Sequence, residues 1–95
     1  MKLPKSIHVG PYRYKVSTGQ NIADGLVAQF RFEEQTIKVS VNCPRRQEPV
    51  ALMHEIIHAA DAVFKVDLKE RQVELLAHGL AQALGSMGAW PETFE

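Results

Sequence analysis

The chain has 95 residues, of which 45% are hydrophobic and 23% charged, an ordinary composition for a globular domain. Eleven Lys and Arg residues balance eleven Asp and Glu residues, so neither a nucleic-acid-binding face nor a polybasic membrane anchor is expected. Cys43 is the one cysteine, which excludes an internal disulfide. With no apolar leader or membrane-spanning run in the sequence, we expect a single cytoplasmic domain over residues 1–95.

The first half of the chain is rich in β-branched and aromatic residues that alternate with polar ones. Ser6–Val9 and Tyr12–Val16 predict two strands joined by a turn at Gly10-Pro11. Ala28–Phe32 predicts a further short strand. Gln35–Val41 is the clearest strand, because its apolar residues all fall on one face.

The second half is rich in Ala, Leu, Met and Glu and predicts two helices. Pro49 suits the first turn of a helix over Val50–Phe64, and Asp67 is expected to cap a second helix over Leu68–Leu84, with Glu70 completing a capping box. The predicted apolar stripe of the second helix comprises Val73, Leu76, Ala77, Leu80 and Leu84. The short connection makes the helices antiparallel. We therefore predict an α+β fold in which a small antiparallel or mixed sheet of about three strands packs on two antiparallel helices.

The first predicted helix carries the sequence His54-Glu55-Ile56-Ile57-His58, an HExxH motif. Residues four apart on a helix point the same way, so both imidazoles can reach one metal ion. Neutral imidazole suits Zn²⁺, which in catalytic sites takes three protein ligands and a water. The metal would lower the pKa of that water to about 7, and Glu55 would take its proton. The predicted chemistry is hydrolysis of a peptide or amide bond.

The second helix offers candidates for a third ligand. Glu70, Glu74 and His78 recur every fourth residue along one side of it. Glu74 flanks the apolar stripe and is the favoured ligand, with His78 next, while Glu70 is favoured as a helix cap. His78 has a second functional interpretation, as a hydrogen-bond donor to the tetrahedral intermediate.

Two segments carry a family resemblance: Leu52-Met53-His54-Glu55-Ile56-Ile57-His58-Ala59 and Val73-Glu74-Leu75-Leu76-Ala77-His78-Gly79-Leu80. They resemble the small zincin-group metallopeptidases, in particular the ImmA/IrrE-like domains of phage and mobile-element proteins. In that family a Glu-x-x-Ala-Asn-like segment on the second helix supplies the third ligand, which implies Glu74 here. His78 replaces the family's Asn, which keeps it open as an alternative ligand.

The resemblance also implies a substrate-binding strand. In zincins the strand before the active-site helix offers its edge to an extended peptide, which implies that role for Thr36–Val41. An ordinary internal strand is the alternative. Arg45-Arg46, just before the helix, either attracts an acidic substrate or lies in a solvated loop.

The leading hypothesis is a zinc metallopeptidase in which His54, His58 and Glu74 bind Zn²⁺ and Glu55 is the catalytic base. Its expected partner is a protein or peptide substrate, with no nucleic acid or membrane, and a second copy or another protein partner stays open. One alternative is a catalytically silent zincin-like module that binds zinc as an adaptor or for stability, because a 95-residue chain leaves little to wall a substrate cleft. A metal-free helical interaction domain is the other.

Overall fold

The structure, a computed structural model, describes residues 3–19 and 27–90. The elements in chain order are β1 (Ser6–Val9), β2 (Tyr12–Gly19), β3 (Ala28–Arg31), β4 (Thr36–Ser40), a short 3₁₀ helix (Arg45–Gln47), α1 (Glu48–Phe64) and α2 (Glu70–Ser86). The predicted α+β class is confirmed, with a sheet of four strands where about three were expected.

The sheet is mixed, with the strand order β1-β2-β4-β3. β1 pairs antiparallel with β2 and β3 antiparallel with β4, whereas β2 and β4 run parallel. The expectation that Thr36–Val41 offers a free edge to substrate is wrong, because β4 lies between two paired neighbours. Its burial explains this position: Ile37 and Val39 are both fully buried, and an interior strand covers such side chains better than an edge strand does. β3 forms the edge beyond it.

Helix α1 lies close to its predicted bounds, with Pro49 in the first turn and Lys65 ending the helix in a left-handed conformation (φ 54°). Its contacts with β1, β3 and β4 on one side and with α2 on another explain why it is buried on most of its circumference. The buried residues are Pro49, Ala51, Leu52, Met53, Glu55, Ile57 and Ala59. Glu55 is the one charged residue among the buried residues that the structure describes.

Helix α2 begins two residues later than predicted, at Glu70. The backbone N–H of Lys69, the residue before the helix, donates to the Gln72 side chain at 2.9 Å, so the predicted cap at Asp67 is wrong. Asp67 instead adopts a left-handed conformation (φ 67°), and its own N–H donates to Asp61 Oδ1 at 2.7 Å. The Asp61 carboxylate thus draws the connection back onto α1 and delays the start of α2.

The two helices run in opposite directions, as predicted. His54 and His58 of α1 lie against Glu70 at the start of α2, whereas Val50, earlier in α1, lines a cavity with Gly85 near the end of α2. The sequence order along one helix is therefore the reverse of the order along the other.

The buried stripe of α2 is narrower than predicted. Leu76 and Leu80, assigned to it from the sequence, are 44% and 42% exposed. Among the described elements α2 packs only against α1, so a single row of side chains fills the contact with Met53 and Ile57. The buried residues recur every fourth position: Val73, Ala77 and Ala81.

The chain after α2 returns to the helices. Trp90 packs against both the sheet-facing and the α2-facing core, and its indole N–H donates to the Pro49 carbonyl at 3.0 Å. Trp90 therefore folds back on the helices, while Pro91 lies outside the described residues. Within residues 3–19 and 27–90, neither helix is both long and apolar enough to cross a membrane.

Candidate metal centre

The two histidines of the HExxH motif converge on the exposed side of α1. One helical turn separates them, which brings their rings within 4.9 Å of each other and the two Nε2 atoms to 3.2 Å. Each side chain is partly exposed, His54 at 24% and His58 at 30%. The pair therefore presents two nitrogen donors side by side at the surface of a largely buried helix.

Glu70 joins this pair from the first turn of α2. Its Oε1 lies 2.8 Å from His54 Nε2, and its Oε2 lies 3.1 Å from His58 Nε2. One carboxylate thus contacts both imidazoles. Glu70 was assigned to helix capping in the sequence interpretation. The Gln72 side chain instead accepts the backbone N–H of Lys69, the N-cap residue, so the Glu70 side chain is available to the histidines.

Asp61 holds the backbone that places Glu70, and sequence reasoning missed it. Its Oδ1 accepts hydrogen bonds from the backbone N–H groups of Asp67, at 2.7 Å, and Leu68, at 3.1 Å. A carboxylate on the last turn of a helix lies near the negative end of the helix dipole. The unfavourable position of Asp61 in the last turn of the predicted helix was the one feature of the sequence that could have indicated a specific role for its side chain.

Glu55 lies next to the two histidines and is only 8% exposed. Burial raises the pKa of its carboxyl above the ordinary range, and this effect outweighs the opposing influence of His58 and of a hydrogen bond from the Phe30 backbone. The negative charge of Glu70 raises the pKa further. Such a carboxyl group accepts a proton more readily than an exposed one does.

Glu74 and His78, the two third-ligand candidates favoured from the sequence, lie farther along α2. Both line a cavity of about 540 Å³ that His54, Glu55 and Glu70 also line. Within the described part of the chain, neither one forms a hydrogen bond or ion pair with His54 or His58. Glu74 as third ligand remains a prediction, and Glu70 is the carboxylate that contacts the imidazoles.

The edge strand β3 forms one wall of the site. Ala28, Gln29 and Phe30 line a cavity of about 390 Å³ together with the histidines and both glutamates of the site. The Ser40 N–H donates to the Val27 carbonyl at 2.8 Å. In the antiparallel register with β4, this bond directs the backbone groups of Ala28 and Phe30 away from β4. The edge of β3 that has no strand partner among the described residues therefore faces the candidate site.

The donor set could hold a metal ion. The ligand atoms of His54, Glu55 and His58 all lie within 4.8 Å of one another, the one such group found among the described residues. Glu70 adds a second carboxylate at shorter range. Two imidazoles and carboxylate oxygens suit divalent transition metals.

Comparisons of the chain with protein-family models, with curated proteins and with solved structures find no match. The resemblance to ImmA/IrrE-like domains therefore rests on the two quoted segments alone.

Proposed function

We propose that the protein is a zinc-dependent metallopeptidase whose metal ligands are His54, His58 and Glu70. The observation that carries the proposal is the Glu70 carboxylate, which contacts both imidazoles of the HExxH motif while a second, buried carboxylate, Glu55, lies beside them. The surroundings of the two glutamates suit different roles, Glu70 as a metal ligand and Glu55 as a proton acceptor. One contacts both nitrogen donors directly, and the other is shielded from water.

The spacing of the three donor groups supports zinc. Ligand atoms at 2.0–2.1 Å from a tetrahedral ion lie about 3.3 Å apart. The observed separations are 2.8 Å and 3.1 Å between carboxylate and imidazoles and 3.2 Å between the imidazoles. The side chains would thus need to separate by only a few tenths of an ångström.

The chain's own residues then divide the work of hydrolysis. A bound zinc ion with one open position lowers the pKa of water to about 7 and polarises a carbonyl group. The Glu55 carboxylate takes the proton of the attacking water and passes it to the departing amine nitrogen. The imidazoles and Glu70 would hold the ion, and the wall formed by β3 would limit access of bulk water from one side.

The edge of β3 is the proposed place for the substrate backbone. It replaces Thr36–Val41 in this role because β4 is covered on both sides. The Phe30 N–H is engaged by Glu55, which leaves the Phe30 carbonyl and the Ala28 backbone groups directed toward the cavity. An extended peptide pairing there would add a strand to the sheet and pass over the histidines.

Metal content of purified variants tests the ligand set. Wild type should bind one equivalent of zinc, and Glu70→Ala should lower zinc affinity by at least about tenfold. Glu74→Ala is the matched control, a glutamate one turn later on the same helix, and should retain zinc. Loss with Glu74→Ala and retention with Glu70→Ala would restore the ligand set expected from the sequence. Absence of zinc in the wild type after reloading would refute the proposal.

Glu55→Gln tests the proton acceptor and separates the leading proposal from a second function. The Glu55 carboxylate lies within 4.8 Å of both histidines, so Glu55 is also compatible with the role of a fourth protein ligand. Four protein ligands would make a closed, structural zinc site. In the metallopeptidase, Glu55→Gln abolishes peptide hydrolysis and keeps zinc. In a structural module, no hydrolysis occurs in the wild type, and Glu55→Gln weakens zinc binding.

A further inference from the structure

A second cavity adjoins the cavity at the candidate metal centre. The cavity that contains His54 and Glu55 shares Arg46, Val50 and His78 with a second cavity of about 460 Å³. We call this second space the distal cavity. Its lining is completed by residues from the start of α1 and the second half of α2: Pro49, Ala81, Gln82, Gly85 and Ser86.

The two cavities differ in charge. Three carboxylates line the cavity near the histidines: Glu55, Glu70 and Glu74. Among the residues that the structure describes, no carboxylate lines the distal cavity, whose polar residues are Arg46, His78, Gln82 and Ser86. Within the described residues Arg46 has no hydrogen-bond or ion-pair partner, whereas its neighbour Arg45 does interact with another group. A guanidinium is always charged and binds carboxylates through two parallel hydrogen bonds.

We propose that the distal cavity binds a carboxylate of the peptide substrate, with Arg46 as its main determinant and His78 as a second donor. The inference deepens the proposed function and rests on it, because the occupant is a peptide that also crosses the metal centre. The carboxylate belongs to an acidic side chain or to the peptide's C-terminus.

The geometry of α2 indicates where along the peptide this carboxylate lies. Glu70 and His78 are eight residues apart on one helix, which corresponds to about 12 Å. An extended peptide covers that distance in about four residues. The recognised group therefore lies about four residues from the bond that is cleaved.

A binding measurement that needs neither hydrolysis nor zinc tests the inference. ¹⁵N-labelled Glu55→Gln protein is titrated with three acetylated alanine hexapeptides: one amidated with an internal Glu, its Gln twin, and an all-Ala peptide with a free C-terminal carboxylate. We expect the Glu peptide or the free-carboxylate peptide to bind about fivefold tighter than the Gln twin and to shift the amide signals of Gln82, Gly85 and Ser86. The tighter of the two identifies the source of the carboxylate.

Arg46→Gln should abolish this difference in affinity, and Arg45→Gln, which removes the same charge one residue away, should preserve it. Equal binding of all three peptides, no binding of any, or a difference that survives Arg46→Gln would overturn the inference. Cleavage of a peptide mixture by wild type, read by mass spectrometry, keeps the two proposals distinguishable. Cleavage without acidic preference refutes the carboxylate site alone, whereas absence of any cleavage refutes the peptidase.

Discussion

Asp61 illustrates how one side chain outside the metal-binding motif controls the candidate site. Its Oδ1 accepts both backbone N–H groups that lead the chain into α2, and the next turn carries Glu70. Because a single oxygen accepts both bonds, an amide oxygen in the same place can keep them. The side chain acts through the backbone, so it is a positioning residue.

We expect Asp61→Ala to lower the free energy of unfolding by about 1 kcal/mol, because one exposed and one half-buried N–H group lose their acceptor. The same variant should lower zinc affinity about tenfold, since Glu70 is no longer held opposite the histidines. Urea unfolding and a zinc titration measure the two effects. Asp61→Asn should lose less than half as much in both. An Asp61→Ala protein with wild-type zinc affinity would show that Glu70 needs no such support.

Tyr14 carries a polar atom that the core does not satisfy. The side chain is fully buried, packs against Phe30 at a ring separation of 5.5 Å, and its hydroxyl has no hydrogen-bond partner within the described residues. Burial, reinforced by Tyr12, raises the pKa of this hydroxyl. The residue therefore contributes through its ring.

Tyr14→Phe should stabilise the fold by about 1 kcal/mol, because it removes a buried group that lost its bonds to water. Tyr14→Ala should cost about 4 kcal/mol through the cavity that it opens. Thermal or urea unfolding distinguishes them. If Tyr14→Phe proves destabilising, the hydroxyl has a partner in solution.

Among the elements, α2 has one narrow row of buried side chains that pack on α1 and a second row that lines the candidate site. Val73 is fully buried against α1, whereas Leu75 is 58% exposed. Glu70, Glu74 and His78 all line the 540 Å³ cavity at the candidate metal centre. Buried residues and cavity-lining residues lie on different sides of α2, because the helix has a single packing neighbour among the described elements. Hydrophobicity alone could not separate its buried aliphatic residues from the exposed ones.

Two truncations on α2 test this division. Val73→Ala should lower the free energy of unfolding by about 2 kcal/mol, from lost apolar burial and the remaining cavity. Leu75→Ala removes a larger side chain and should cost about 0.5 kcal/mol or less, because most of it already contacts water. Chemical denaturation of both variants provides the comparison. The reverse order would mean that another surface covers Leu75 in solution.

In the molecule as a whole, the candidate metal centre lies between the two helices, near the end at which the connection joins them. His54 and His58 belong to α1 and Glu70 to α2. A bound ion would therefore cross-link elements that otherwise meet through the apolar contact of Met53 and Ile57 with the buried row on α2. For a chain of 95 residues with a modest core, such a cross-link matters to stability.

Zinc at a hundredfold excess over its dissociation constant should stabilise the native state by about 2.7 kcal/mol and raise Tm by about 10 °C or more. Differential scanning fluorimetry with and without zinc measures the shift. His54→Ala serves as the control and should show none. An unchanged Tm in the wild type would contradict metal binding by the folded state.

The elements that could be predicted from the sequence are those specified by local patterns. The HExxH spacing places two imidazoles on one face of any helix, and Pro49 together with the apolar pattern predicts that helix within a few residues of where it lies. Alternation at Gln35–Val41 likewise predicts β4. These features depend on the 3.6-residue and two-residue periods of the backbone, which a sequence displays directly.

Which residues meet at the site depends on tertiary contacts, which local patterns do not specify. Glu70 lies opposite the histidines because Asp61 draws in the connection and delays the start of α2, a contact that no spacing rule contains. β3 became the edge at the site because parallel pairing of β2 with β4 encloses β4. Both outcomes depend on contacts between distant parts of the chain, where packing geometry, rather than local backbone period, sets the lowest free energy.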